Sequence, residues 1–151
     1  MKQLPYVAWR RMNTLFCVID TLSHDAALRL GLSDSALRVL YTLCELGQGC
    51  DLSQVYKRSG ASRQTINSAL RKLEGEGVVR LEARNGRSKT LLLTEKGFEV
   101  VERQVKPLID MENAVFDRWA EADREAHRRL TEQLLADLRE EFAKIGEGES
   151  R

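Results

Sequence analysis

SRQTINSALRKLE, residues 62–74, has the pattern of a helix with two unlike faces. Ser62 suits an N-cap, because its hydroxyl accepts from a backbone N–H left free in the first turn. Ile66, Ala69, Leu70 and Leu73 fall at i, i+3, i+4 and i+7, a single apolar stripe. The opposite face carries Arg63, Gln64, Asn67, Ser68 and Arg71. Arginine matches the acceptors of guanine, glutamine and asparagine match adenine, and serine suits either. On this reading Arg63, Gln64 and Asn67 are the expected base contacts, and Ser62, Thr65, Ser68, Arg71 and Lys72 the expected phosphate contacts. An ordinary solvated polar face would share the pattern, so the flanking residues have to decide.

Upstream, Ser59-Gly60-Ala61 reads as a tight turn, and Leu52–Arg58 before it as a short helix with Leu52 and Val55 inward. A short helix, a glycine turn and a helix with a basic polar face make a helix-turn-helix. Further back, Ser33 caps a helix with Asp34 in its first turn, and Ala36, Leu37, Leu40, Tyr41, Leu43 and Cys44 form its apolar face until Gly47 and Gly49. Downstream, Gly75 and Gly77 stop the helix, Val78, Val79 and Leu81 form a strand, and Leu91, Leu92 and Leu93 its return. Asn85-Gly86 between them is a strong hairpin signal, because both central residues of a type I′ turn need positive φ. Arg84 and Arg87 flank that turn and Lys89 follows. A basic-tipped hairpin directly after such a helix is a wing, able to reach the DNA backbone or minor groove.

The ends of the chain read as long helices. From about Pro5 to Leu30, Trp9, Met12, Leu15, Phe16, Ile19 and Leu22 keep one stripe, and Gly31 ends it. After a cap at Thr94, Val101, Val105, Leu108, Met111, Val115 and Trp119 recur at steps of three and four, with Pro107 expected to kink or interrupt them. A last helix from about Asp123 carries Leu130, Leu134, Leu138, Phe142 and Ile145. These stripes need burial, and a second copy of the chain would supply part of it. The expected fold class is therefore mainly α with a small β-hairpin wing: a winged helix-turn-helix over 32–94, with dimerisation helices over 5–30 and 95–145.

Charge distribution supports a phosphate-facing surface. Net charge is only +1, but residues 52–90 hold nine Lys/Arg against three Asp/Glu, and residues 91–151 ten against fifteen. A basic middle and an acidic end predict salt-sensitive binding to nucleic acid. Trp9, Arg10, Arg11 and Asn13 stand where a signal peptide needs an apolar run. No stretch approaches the roughly 18 apolar residues of a membrane span. Three cysteines, Cys17, Cys44 and Cys50, show no disulfide framework. A cytoplasmic location without membrane partners is the expectation.

The segments GLSDSALRVLYTL (31–43), SGASRQTINSALRKLEGEGVVR (59–80) and NGRSKTLLLTEKG (85–97) resemble the multiple antibiotic resistance regulator (MarR) family of winged-helix transcription factors. The likeness spans roughly residues 5–145. Its more specific part is the arginine-bearing wing turn followed by Leu93-Thr94 and Gly97. The resemblance implies an obligate homodimer joined by its terminal helices, a wing arginine at Arg87, and a pseudo-palindromic double-stranded operator with half-sites about 34 Å apart. It also implies a repressor relieved by a small aromatic effector, for which Trp9, Met12, Phe16, Tyr41 and Met111 are the candidate lining, plain core packing being the competing reading. Two positions depart from the family pattern. Asn85 stands where an acidic residue usually steadies the wing arginine. Tyr56 stands where a small residue usually allows close helix contact, so that either Tyr56 turns to solvent or the third helix sits further out.

Rival functions are less well supplied. Peroxide sensing through Cys17 on the first helix is one alternative, although a buried apolar cysteine is usually inert. A winged helix used only for protein contact is another, and the basic segment argues against it. An enzyme is not expected, since there is no nucleophile elbow, phosphate loop or recognisable catalytic carboxylate pair. No cofactor or metal is expected either: Cys44 and Cys50 lack a matching pair, and the two histidines are remote in sequence.

Overall fold

A computed structural model describes residues 8–47, 49–83 and 89–145. The chain divides into two compact units, Met1–Leu108 and Ile109–Arg151.

In the first unit, α1 (Ala8–Arg29) leads to α2 (Asp34–Leu46), a two-residue strand β1 (Cys50–Asp51), α3 (Leu52–Arg58) and α4 (Arg63–Gly75). The strands β2 (Val79–Ala83) and β3 (Lys89–Leu93) follow, then α5 (Glu95–Val100). The caps are those the sequence suggests. Ser33 Oγ accepts from the Ala36 N–H at 3.2 Å, Ser62 Oγ from the Thr65 N–H at 3.1 Å and Thr94 Oγ1 from the Gly97 N–H at 3.0 Å. Asp51 caps α3 in the same way, accepting from the Ser53 N–H at 2.7 Å.

The core lies where α2, α4 and the sheet meet. Val39, Leu40, Val55, Ile66 and Leu91 are fully buried, and Leu70, Leu73, Val78 and Val79 nearly so. The stripe foreseen on α4 is the buried one: Ile66, Ala69, Leu70 and Leu73 face inward. The helix ends at Gly77, which has φ +71°. There the Val78 N–H donates to the Leu73 carbonyl at 2.8 Å and the Gly77 N–H to the Glu74 carbonyl at 3.0 Å, the two bonds of a Schellman stop. Val78 and Leu73 are both buried beside it. This tight exit delivers the chain straight into β2.

The hairpin is antiparallel, with Val79 opposite Leu93 and Ala83 opposite Lys89. The turn itself, with Arg84, Asn85, Gly86 and Arg87, lies outside the described residues. The sheet has a third strand that the sequence reading passed over: β1 pairs with β3, Cys50 opposite Leu91. Thr94 ties the end of the sheet to the exit of α4, its Oγ1 donating to the Gly77 carbonyl at 2.6 Å. Gly97 is packed so closely on that exit that a Cβ would be driven into the carbonyl oxygen of Val78.

Two pairs join α1 to α2. Asp20 Oδ1 accepts from Arg38 Nη2 at 3.2 Å, and His24 Nδ1 lies 2.8 Å from Asp34 Oδ2. The hydrogen bond to Asp34, and then the Asp34 charge, raise the His24 pKa above the ordinary histidine value, with Asp25 and Asp20 adding to the effect and desolvation opposing it.

The expected interruption near Pro107 takes the form of a π turn over Val101–Val105, just ahead of it. The Lys106 N–H reaches back five residues to the Val101 carbonyl. Pro107 has no N–H to give, and its ring crowds the carbonyl of the preceding turn, so the ladder widens where it would otherwise break. α6 (Lys106–Phe116) runs across the division between the units.

In the second unit, α7 (Glu121–Ala143) starts two residues before the expected Asp123, with Glu121 and Asp123 both in its first turn. The corner before it is fastened by Arg124 Nη1 donating to Asp117 Oδ1 at 2.6 Å and by the Trp119 ring, 5.1 Å from Phe116 and 5.4 Å from His127. No residue of α7 is buried among the described residues. Leu130, Phe142 and Ile145 are exposed, while Leu134 and Leu138 are half-buried.

Two outcomes follow from these contacts. Gly97→Ala should lose about 1–3 kcal/mol by overpacking against Val78, read as a lowered thermal midpoint. In a proton NMR titration, His24 should show a midpoint above about 6.5, and Asp34→Asn should bring it down. Since the folded-state pKa is raised, the pair's contribution to stability is complete below the unfolded histidine pKa and is lost as pH rises through the folded one.

Candidate nucleic-acid interface

Burying one stripe of α4 turns the other outward. Arg63, Gln64, Thr65, Ser68, Arg71 and Lys72 are all exposed, and Asn67 is half-buried. A hollow of about 750 Å³ lies between α3, α4 and the hairpin, lined by residues that include Tyr56, Arg63, Asn67, Arg71, Leu81 and Lys89. The structure thus brings Arg63, Asn67 and Arg71 of the helix together with Lys89 of the wing. Gln64, Ser68 and Lys72 do not line it. Asp51 and Glu74 also line the hollow, so it is mixed in charge.

The basic side chains differ in how they are held. Arg58 Nη1 meets Glu45 Oε1 at 2.7 Å, Arg80 Nη2 meets Glu82 Oε1 at 3.1 Å, and Lys72 Nζ is 3.9 Å from Glu76. These pairs are exposed and contribute at most about 1 kcal/mol each, so phosphate can displace them cheaply. Arg71 and Lys89 make no ion pair among the described residues. Ser62 is less free than its sequence position suggested, because its hydroxyl both caps α4 and lies 2.8 Å from Thr65 Oγ1.

The turn before α4 is braced from behind. Arg38 Nη1 donates to the Ser59 carbonyl at 3.3 Å while Nη2 of the same side chain holds Asp20 of α1. Gly60 follows with φ +65°.

Tyr56 does not turn to solvent. It is half-buried between α3 and α4. Its hydroxyl donates to Asn67 Oδ1 at 2.6 Å, and the Arg63 guanidinium carbon sits 5.3 Å from its ring centre. Tyr56 therefore touches two of the three expected base-contacting residues, which the sequence reading did not foresee. The available signal was Arg63 and Asn67 at i and i+4, one patch of helix able to receive a ring from the preceding element.

The remaining candidate residues are placed as follows. Trp9, Met12 and Phe16 are exposed on α1, with the Trp9 and Phe16 rings 6.3 Å apart. Tyr41 is half-buried on α2, and Met111 is exposed in the second unit. Cys17 is exposed, not buried. Desolvation first, then Glu102, raises the Cys44 thiol pKa, and desolvation chiefly raises that of Cys50, so both are held toward the unreactive thiol. No cluster of three or more His, Cys, Asp or Glu able to hold a metal occurs among the described residues. No described helix is long and apolar enough to cross a membrane.

Comparison with known proteins gives a consistent result. A MarR family model matches residues 30–88. No curated protein matches the sequence. Among solved structures, a MarR family transcriptional regulator from Silicibacter pomeroyi is 25% identical, with 91% of this chain and 89% of that one covered and a TM-score of 0.63. A MarR family regulator from Streptomyces coelicolor, solved in complex with DNA, is 21% identical over 91% of this chain and 93% of its own, with a TM-score of 0.66. BpsR from Bordetella bronchiseptica, solved to explain regulation of its DNA binding by 6-hydroxynicotinic acid, is 18% identical over 82% and 98%, with a TM-score of 0.63. Residues 30–88, the helix-turn-helix and wing, are thus similar to the MarR family, and the likeness of fold extends through the flanking helices.

Proposed function

We propose that the chain is a sequence-specific, double-stranded DNA-binding transcriptional regulator that works as a homodimer and represses until a small aromatic ligand releases it. One observation carries the DNA-binding part: α4 buries Ile66, Ala69, Leu70 and Leu73 and thereby exposes Arg63, Gln64, Ser68 and Arg71 on a single face beside the wing. Such a face enters a major groove with its N-terminal residues at the base edges. Arg63, Gln64 and Asn67 are the base contacts. Ser62, Thr65, Ser68, Arg71 and Lys72 serve phosphates, with Lys89 and the wing residues Arg84 and Arg87. The DNA complex of the Streptomyces coelicolor regulator supports this reading.

The homodimer rests on apolar surface left without cover within each unit. Trp9, Met12, Leu15, Phe16, Ile19 and Leu22 are all exposed along α1, as are Leu130, Phe142 and Ile145 on or just beyond α7. Stripes of this length on an isolated chain mark an interaction surface. Trp9, Met12, Phe16, Tyr41 and Met111 are the candidate effector contacts. An aromatic acid acting on BpsR supports an effector of that class.

The test is a site selection from a random duplex pool, followed by affinity measurements at two salt concentrations. Arg63→Ala should cost about 1–3 kcal/mol and relax preference at one base position. Lys72→Ala should weaken all sequences alike and reduce the salt slope by about one. An unchanged sequence preference in Arg63→Ala would remove its reading role, and no duplex binding at low salt would remove the proposal.

A further inference from the structure

We infer that Tyr56 is a specificity-determining positioning residue, one that makes the reading face of α4 a face of donors and turns it toward guanine. The inference rests on the DNA-binding function proposed above and goes beyond it.

An unconstrained asparagine reads adenine, because its carbonyl oxygen and amide N–H₂ side by side match the N6 amino group and N7 of that base. In this chain one lone pair of that oxygen is already taken. Tyr56 donates to Asn67 Oδ1 at 2.6 Å, a short bond for neutral partners. That bond uses one of the two lone pairs of the oxygen and fixes the plane of the amide. The Asn67 N–H₂ has no partner among the described residues, so donors are what Asn67 has to offer. One turn earlier, Arg63 sits over the same ring, its guanidinium carbon 5.3 Å from the ring centre. A planar guanidinium held over an aromatic ring keeps its fork of N–H groups in a set direction. Both side chains line the same hollow.

Tyr56 thus holds a five-donor guanidinium and an amide N–H₂ side by side, with the Asn67 oxygen engaged by the Tyr56 hydroxyl. The complementary base edge is rich in acceptors. Guanine supplies N7 and O6 together in the major groove, and two guanines in neighbouring positions supply the pair twice. Adenine carries an amino group where guanine has O6, and that group would meet N–H against N–H. The large residue in the third helix, which departs from the family pattern, is on this account what sets the base preference.

The experiment compares wild type, Tyr56→Phe, Tyr56→Leu and Asn67→Ala. Each is put through selection from a random duplex pool, then titrated against labelled duplexes differing by one base pair. Thermal melting confirms that each variant is folded. Asn67→Ala identifies the base pair that Asn67 reads. Wild type should prefer guanine there, and Tyr56→Phe, which keeps the ring but frees Oδ1, should lose that preference or reverse it toward adenine by about tenfold. Its preference at the Arg63 position should be unchanged. Tyr56→Leu removes the ring as well and should relax both positions. A Tyr56→Phe protein with the wild-type preference at every position would overturn the inference, as would a wild type that already selects adenine at the Asn67 position. Those results leave duplex binding itself intact. A wild type that bound no duplex would instead overturn the regulatory function and this inference with it.

Discussion

The burial of one face of α4 is the constraint on which the rest depends. Each fully buried Ile or Leu side chain contributes about 1.5–3 kcal/mol, and Ile66, Leu70 and Leu73 are all at or near zero exposure. An exposed ion pair contributes between about 0 and 1 kcal/mol. The apolar side therefore decides how the helix is rotated, and the polar side is left to be selected for what it touches. α2 supplies the opposing surface through Val39 and Leu40, β3 supplies Leu91, and α3 supplies Val55. With those contacts made, Arg63, Gln64 and Ser68 have no choice but to face outward.

The elements around α4 serve to fix its two ends. At its start, Ser62 caps the helix while Arg38 grips the Ser59 carbonyl of the turn. At its end, the Schellman stop at Gly77 is clamped by Thr94 and by the close approach of Gly97. Arg38 also reaches Asp20, so the brace behind the turn continues into α1.

Much of this architecture could be read in the chain because it is local. The spacing of Ile66, Ala69, Leu70 and Leu73, the caps at Ser33, Ser62 and Thr94, and the stop before the wing are each written within a few consecutive residues. What escaped is what depends on distant partners. β1 is two residues long and exists only because Leu91, some forty residues later, pairs with Cys50. An interruption near Pro107 is legible in the sequence, but its form as a π turn over Val101–Val105 is not. Tyr56 looked like a misfit by size. Its partners lie on another helix, and only their positions show a ring placed under Arg63 with a hydroxyl on Asn67. Cys17 is exposed, as is the apolar stripe of α1 beside it.

Under the proposed function, two copies of α4, related by a twofold axis, read one duplex in successive major grooves. Hydroxyl-radical footprinting of the wild-type protein on its selected duplex tests this most directly. Two protected patches centred about one helical turn apart, roughly 34 Å, and symmetric about the midpoint of the site, are the predicted result. A single patch, or protection spread evenly along the duplex without a centre, would contradict it.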